Sequence, residues 1–228
     1  MQDPLWMRAF LAVHITAGSG AFVLAPLALV TAKGCKAHRL WGKIYFWCMT
    51  VVATTAMVMA LYRPVLFLAL VAVFSFYSAF VAYRVLGQKA AWKSESVAKP
   101  LDWIAAVICF TASAALALLG AFKPVLVQNL AIPAIVFGAI GMRIAGNAMW
   151  NFTHHPKAKM FWWYAHLQGM IGSYIAAWTA FCVVTIGPRV HGAWWLWVLP
   201  TAIGVPAIIA TTAYYKGKFA SKPKVAVA

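Results

Sequence analysis

Long unbroken apolar runs, separated by short polar breaks, set the pattern of this chain. A helix needs about 20 apolar residues to cross the hydrocarbon core of a bilayer. Seven runs meet that length: 5–31, 42–62, 64–84, 101–120, 127–147, 161–186 and 194–214. They are continuous rather than alternating, so they predict helices and not barrel strands. The tightest joint is Tyr62-Arg63-Pro64, where proline disfavours helix at the residue before it. The first run is too long for a signal peptide. Its positive cluster also follows the apolar stretch, the reverse of a leader, so it reads as a retained first span.

The polar breaks carry the charge. Lys33, Lys36, Arg39, Lys43, Arg84, Lys89, Lys93, Lys99, Lys157, Lys159, Lys216, Lys218, Lys222 and Lys224 all fall on one side of a seven-span alternation. Arg8, Arg63, Lys123 and Arg189 fall on the other, and Arg143 falls within a span. Basic residues mark cytoplasmic connections. The expected topology is therefore an all-α bundle of seven transmembrane helices in one domain, 1–228. Its N-terminus lies outside, and its tail, 215–228, is basic and cytoplasmic. That pattern predicts a multi-pass membrane protein, in contact with the bilayer and, at its cytoplasmic face, with anionic lipid.

Composition narrows the class. Hydrophobic residues make up 64% of the 228 residues and charged residues 10%, against about 45–50% and about 25% in a soluble domain. A soluble enzyme, a disordered chain and a disulfide scaffold are excluded. The formal charge of +16 would suggest nucleic acid in a soluble protein. Here topology accounts for it, and no nucleic-acid partner is expected. Cys35, Cys48, Cys109 and Cys182 are scattered without a CxxC pair, so neither a disulfide nor a thiolate metal site is implied. Most of the 12 tryptophans lie near span ends, as in an interfacial aromatic belt.

Embedded polar groups are the candidate chemistry, because charge near a bilayer centre is costly. Arg143 lies about one turn inside the cytoplasmic end of the fifth run. Asn147, Asn151 and His154 follow at i+4, i+8 and i+11, on one helical face if the helix continues that far. His155 is adjacent, His166 lies one turn into the sixth run, His38 precedes the second, and Asp102 opens the fourth. These eight groups converge on the cytoplasmic third. They predict a polar pocket between spans two, five and six, walled by His38, Arg143, Asn147 and His166. The bland alternatives are a snorkelling arginine, loop histidines at 154 and 155, and a packing role for His166. His14 lies deeper, near mid-membrane, beside the small residues Ala17, Gly18 and Ala21. Its alternative is a single interhelical hydrogen bond. Pro26, Pro133, Pro200 and Pro206 are expected to interrupt spans one, five and seven. Gly169, Gly172 and Ser173 should give span six a smooth strip for close packing.

Three segments stand out together: His14-Ile-Thr-Ala-Gly, His38-Arg39-Leu-Trp-Gly42-Lys43-Ile-Tyr45-Phe-Trp, and His166-Leu-Gln-Gly-Met170-Ile-Gly172-Ser173-Tyr174-Ile-Ala-Ala-Trp-Thr179-Ala-Phe. The stretch from Phe74 through Tyr77 to Arg84 accompanies them. Together they resemble a bacterial family of uncharacterised, histidine-containing polytopic membrane proteins. The resemblance covers most of the chain and implies an all-helical inner-membrane protein. It implies no reaction, but it weights His14, His38 and His166 above His154 and His155.

Several classes are set aside. Span seven has no retinal-binding lysine before Lys216, there is no arginine ladder, Asp102 is alone, and HExxH is absent. Three functions remain. The first is a redox protein holding haem b or a transition metal through His14, His38 or His166, since helical bundles hold such groups through histidines on facing spans. The second is a transporter or channel for a small solute, lined by kinked spans and the Arg143–Asn147 stripe. The third is an accessory subunit, with membrane-protein partners or further copies of itself.

Overall fold

A computed structural model describes residues 3–63, 65–91, 98–154, 156–191 and 193–220. Seven α-helices make up the bundle: α1 Leu5–Val30, α2 Lys36–Tyr62, α3 Leu66–Arg84, α4 Pro100–Phe122, α5 Ala131–Thr153, α6 Phe161–Thr185 and α7 Trp195–Ala220. There are no strands among the described residues. Every helix is long and apolar enough to cross a membrane. The chain is an all-α multi-pass membrane protein whose outer surface meets lipid, as large exposed residues such as Ile104, Ile108 and Leu118 on α4 require.

Two helices begin and end away from their apolar runs. α2 starts at Lys36, six residues before the expected span. Gly34 turns the chain at φ +81°, and Cys35 caps the new helix, its Sγ accepting the His38 N–H at 3.3 Å. His38 and Arg39 therefore belong to the first turn of α2. In the fifth span the expected range, 127–147, is displaced towards the C-terminus. A 3-10 turn at Pro124–Val127 and left-handed backbone at Gln128 and Asn129 (φ 57° and 58°) postpone the helix to Ala131. Pro133 consequently sits in the first turn of α5, where a backbone N–H would have no intrahelical partner anyway, and interrupts nothing. At the other end Ala145, Ala148 and Phe152 are buried at helical spacing, which carries α5 past Asn147 to Thr153.

Helix α3 is central, packing on α2, α4, α5 and α6. α1 pairs with α2 and touches α6; α4 pairs with α5; α7 lies mainly on α6. The α4–α5 seam is close because it is built on small residues. A Cβ on Gly138 would fall 2.6 Å from Ser113 O and 2.7 Å from Ala117 Cβ. Gly169 serves the α3–α6 crossing in the same way, since a Cβ there would fall 2.7 Å from both Ser78 O and Ala82 Cβ. Gly172 has nothing within 4 Å of a Cβ, so only part of the expected smooth strip is in contact. The α1–α2, α3–α4 and α5–α6 connections and the C-terminal end of α7 share one end of the bundle. Most of the lysines and arginines are there, and it is called the basic end below.

Candidate functional site

At the basic end, α1 and α3 finish where α2 and α6 begin. The last carbonyls of a helix have no intrahelical donor, and two histidines supply one. His38, on α2, donates Nδ1–H to Ala28 O in the last turn of α1 at 2.9 Å. His166, on α6, donates Nδ1–H to Ala82 O in the last turn of α3, also at 2.9 Å. A carbonyl can only accept, so these partners assign the proton to Nδ1 and leave the lone pair on Nε2 in both rings. The two imidazoles then meet, with ring centroids 6.3 Å apart and planes at 78°.

Cations surround the pair. Lys33 donates to Ala28 O and Leu29 O, and burial pushes its ammonium below the ordinary lysine range. Thr31 Oγ1 donates to Ala28 O at 3.0 Å. Lys89 lies over the Trp162 ring, 4.6 Å from its centroid. Lys33 and Lys89 are both within electrostatic range of His166.

Seven residues deeper on each helix the contact repeats. Tyr45, seven after His38, meets Ser173, seven after His166, at 2.7 Å. Ser173 Oγ–H donates to Met170 O at 2.8 Å, so the Tyr45 hydroxyl is the donor to Ser173 Oγ. α2 and α6 run in the same direction, and two turns of helix bring the same face round again. Both residues are buried. This second level was not foreseen as a site. Its traces in the sequence were the i+7 polar spacing on both helices and the place of Tyr45 and Ser173 in the two segments that begin at His38 and His166.

His14 stands apart. Its Nδ1–H points at Val52 O (3.1 Å) and at Thr55 Oγ1 (2.9 Å), while Thr55 donates its own proton to Val51 O at 2.7 Å. Ala21, Ala25, Phe46 and Met49, all buried in one cluster, fill the space between this level and the His38–His166 pair. Along α1, Ala28 is 14 residues from His14, about 21 Å at 1.5 Å per residue. The three histidines therefore line no common path in this conformation.

The expected pocket between spans two, five and six is not what the helices form. α5 packs on α4, α3 and α7, not on the His38–His166 pair. Arg143, Asn147, Asn151 and His154 do share one face, but it is the exposed face, in line with Ile132 and Ile135. Because α5 ends at Thr153, Arg143 lies about 15 Å from that end, at mid-span instead of one turn inside it. His154 stacks on Trp150, centroids 3.7 Å apart, and its Nδ1 contacts Thr153 Oγ1 at 2.8 Å. His155 lies outside the described residues. Asp102 is buried in a clasp of its own. Arg84 Nε and Nη2 reach its two oxygens at 2.7 and 2.9 Å, and the Lys99 backbone N–H donates to Oδ2 at 2.9 Å. That carboxylate ties α3 to the first turn of α4 and is half of a capping box.

Among the described residues there is no group of three or more His, Cys, Asp or Glu side chains able to hold a metal ion. The His38–His166 pair offers two ligands, each oriented by a hydrogen bond from its other nitrogen, as metal-binding imidazoles characteristically are. No family model, no curated protein and no solved structure matches the chain. Its reading rests on this geometry.

Proposed function

We propose that the chain is a bacterial inner-membrane redox protein that holds one b-type haem between His38 and His166, on the cytoplasmic side. The observation that carries this reading is the meeting of two imidazoles from different helices, each with its Nδ1–H bonded to a backbone carbonyl and its Nε2 lone pair left over. His38 and His166 would hold the group. Ligand number points the same way. Two protein ligands leave a bare metal ion under-coordinated, whereas a porphyrin brings four nitrogens of its own.

The chain's own residues then have definite tasks. Ala28 O and Ala82 O fix the tautomers and aim the two Nε2 lone pairs. Lys33 and Lys89 supply positive charge beside the site, suited to carboxylate groups on a cofactor edge. Arg143 cannot have that task, because α5 holds it on the outer face. The Tyr45–Ser173 bond and the apolar cluster beneath it close the deep side of the site and keep water out. Haem supplies one-electron chemistry when bound; the protein supplies its ligands, its orientation and its seclusion.

The test is an absorption spectrum and haem assay on protein purified from cells supplied with excess haem precursor. Wild type should carry about one haem per chain with a bis-imidazole spectrum. His38→Ala and His166→Ala should lose it while remaining monodisperse, and His191→Ala should not. Wild type that carries no haem under these conditions overturns the reading.

A further inference from the structure

Helix α5 turns a polar stripe outward. Arg143, Asn147 and Asn151 are exposed, one turn apart, on the face that continues through Ala139 to the lipid-exposed Ile135 and Ile132. Among the described residues none of these three has a hydrogen bond or ion pair, in contrast to Arg84 and Arg63, which each hold an aspartate. α5 runs from Ala131 to Thr153, so the guanidinium root is near the middle of the span, about 18 Å from one end of the helix and about 15 Å from the other. Polar side chains on a spanning helix normally face other helices and not lipid. The stripe has the make-up of a helix-packing face, with no neighbour among the described residues.

Charge complementarity identifies the neighbour. A second copy is a poor fit, because the whole sequence has three acidic residues. Asp3 is held by Arg63, Asp102 is buried against Arg84, and Glu95 falls in the polar segment between α3 and α4. Neither aspartate lies at mid-span, and Glu95 lies outside the described residues. We propose that the outer face of α5 is the docking site for a transmembrane helix of a different polypeptide, one that carries an aspartate or glutamate at mid-span. Arg143 pairs with that carboxylate, most strongly if two oxygens meet the guanidinium fork. Asn147 and Asn151 hydrogen-bond along the same partner towards the basic end, and Ala139 and Gly146 flank Arg143 with little bulk, so the two backbones can approach closely. This inference is independent of the haem reading, since the stripe and the His38–His166 pair lie on different helices.

The experiment places a photo-crosslinking residue at Ala139 of the full chain, in membranes of its own host, and identifies the adduct by mass spectrometry. The expected adduct is a single membrane polypeptide whose crosslinked span contains Asp or Glu. Arg143→Leu should reduce its yield about tenfold, Arg143→Lys should retain most of it, and Arg143→Glu combined with acid→Arg in the partner should restore it. An adduct with another copy of this chain, an adduct with lipid alone, a partner span without an acidic residue, or a yield indifferent to Arg143→Leu would each overturn the proposal. Arg143 is exposed, so Arg143→Leu should fold. Should it fail to accumulate, Arg143→Gln replaces it, with the same tenfold loss required.

Discussion

Tyr45 donates its hydroxyl proton to Ser173, and Ser173 passes its own on to Met170 O, so the two partners are not equivalent. Removing the Tyr45 hydroxyl leaves Ser173 still bonded to Met170. Removing Ser173 Oγ leaves a buried phenol with nothing to accept its proton.

Tyr45→Phe should therefore cost about 1 kcal/mol, and Ser173→Ala about 2 kcal/mol, in a reversible unfolding titration. The double variant should be no less stable than Ser173→Ala alone, because the unsatisfied donor is gone. Additive losses in the cycle would show that the bond is not formed as described.

Gly169 offers a second test. Gly169→Ala puts a methyl group 2.7 Å from Ser78 O and Ala82 Cβ, so α6 must move off α3. Such overpacking costs about 1–3 kcal/mol. The same movement stretches the His166–Ala82 bond, so under the proposed haem reading haem content should fall with stability. Gly172→Ala, with open space around it, should be neutral or slightly stabilising. Equal effects of the two substitutions would contradict the crossing geometry.

The Arg84–Asp102 clasp should behave as a buried ion pair. Arg84→Leu strands the buried Asp102 carboxylate and should cost about 3 kcal/mol or more, whereas replacing both residues with apolar ones of similar size should recover most of that loss. The same unfolding titration reads both. Haem content should be unaffected in the double variant, since the clasp does not touch the His38–His166 pair.

His14→Ala should lower the stability of the protein by about 1–2 kcal/mol, through loss of its bond to Val52 and Thr55, and under the proposed haem reading it should leave the spectrum unchanged. A spectral change comparable to that of His166→Ala would mean that the deep histidine belongs to the same site.

Topology is open to direct measurement. A reporter fused after Lys218 should be active only in its cytoplasmic form, because the basic end carries most of the cations. Activity confined to the outer side would invert the bundle and place the His38–His166 pair outside.

Hydropathy made the seven helices legible, because lipid demands long apolar runs and little else satisfies that length. Their ends were less legible. Asn147 and Asn151 looked like the close of a span, yet the helix persists because Ala145, Ala148 and Phe152 remain packed beneath them. That one misjudged end moved Arg143 from the interface to mid-span and from a pocket to the outer face. His38 and His166 were expected to share a pocket wall with Arg143 and Asn147; the two rings meet, while Arg143 and Asn147 lie on the outer face of α5. The meeting of Tyr45 with Ser173 depends on α2 and α6 lying parallel across 128 residues of sequence, which no local pattern encodes. Asp102 was visible as a lone acid, but Arg84 was counted only as a topology charge, so their clasp went unseen.

The shallow position of the histidine pair has an electrical consequence. His166 follows Phe161, the first residue of α6, by five positions, about 7.5 Å along the helix; with the hydrocarbon edge taken at Phe161, that is about a quarter of a layer about 30 Å thick. A charge crossing the whole layer at 100 mV exchanges about 2.3 kcal/mol with the field, so one reaching the pair from the basic side exchanges only about a quarter of that. Membrane voltage would barely alter the ease of reducing a group held there. The same charge arriving from the opposite face would feel about three quarters of the drop, so the bundle's asymmetry gives an electron carrier at this site a preferred compartment.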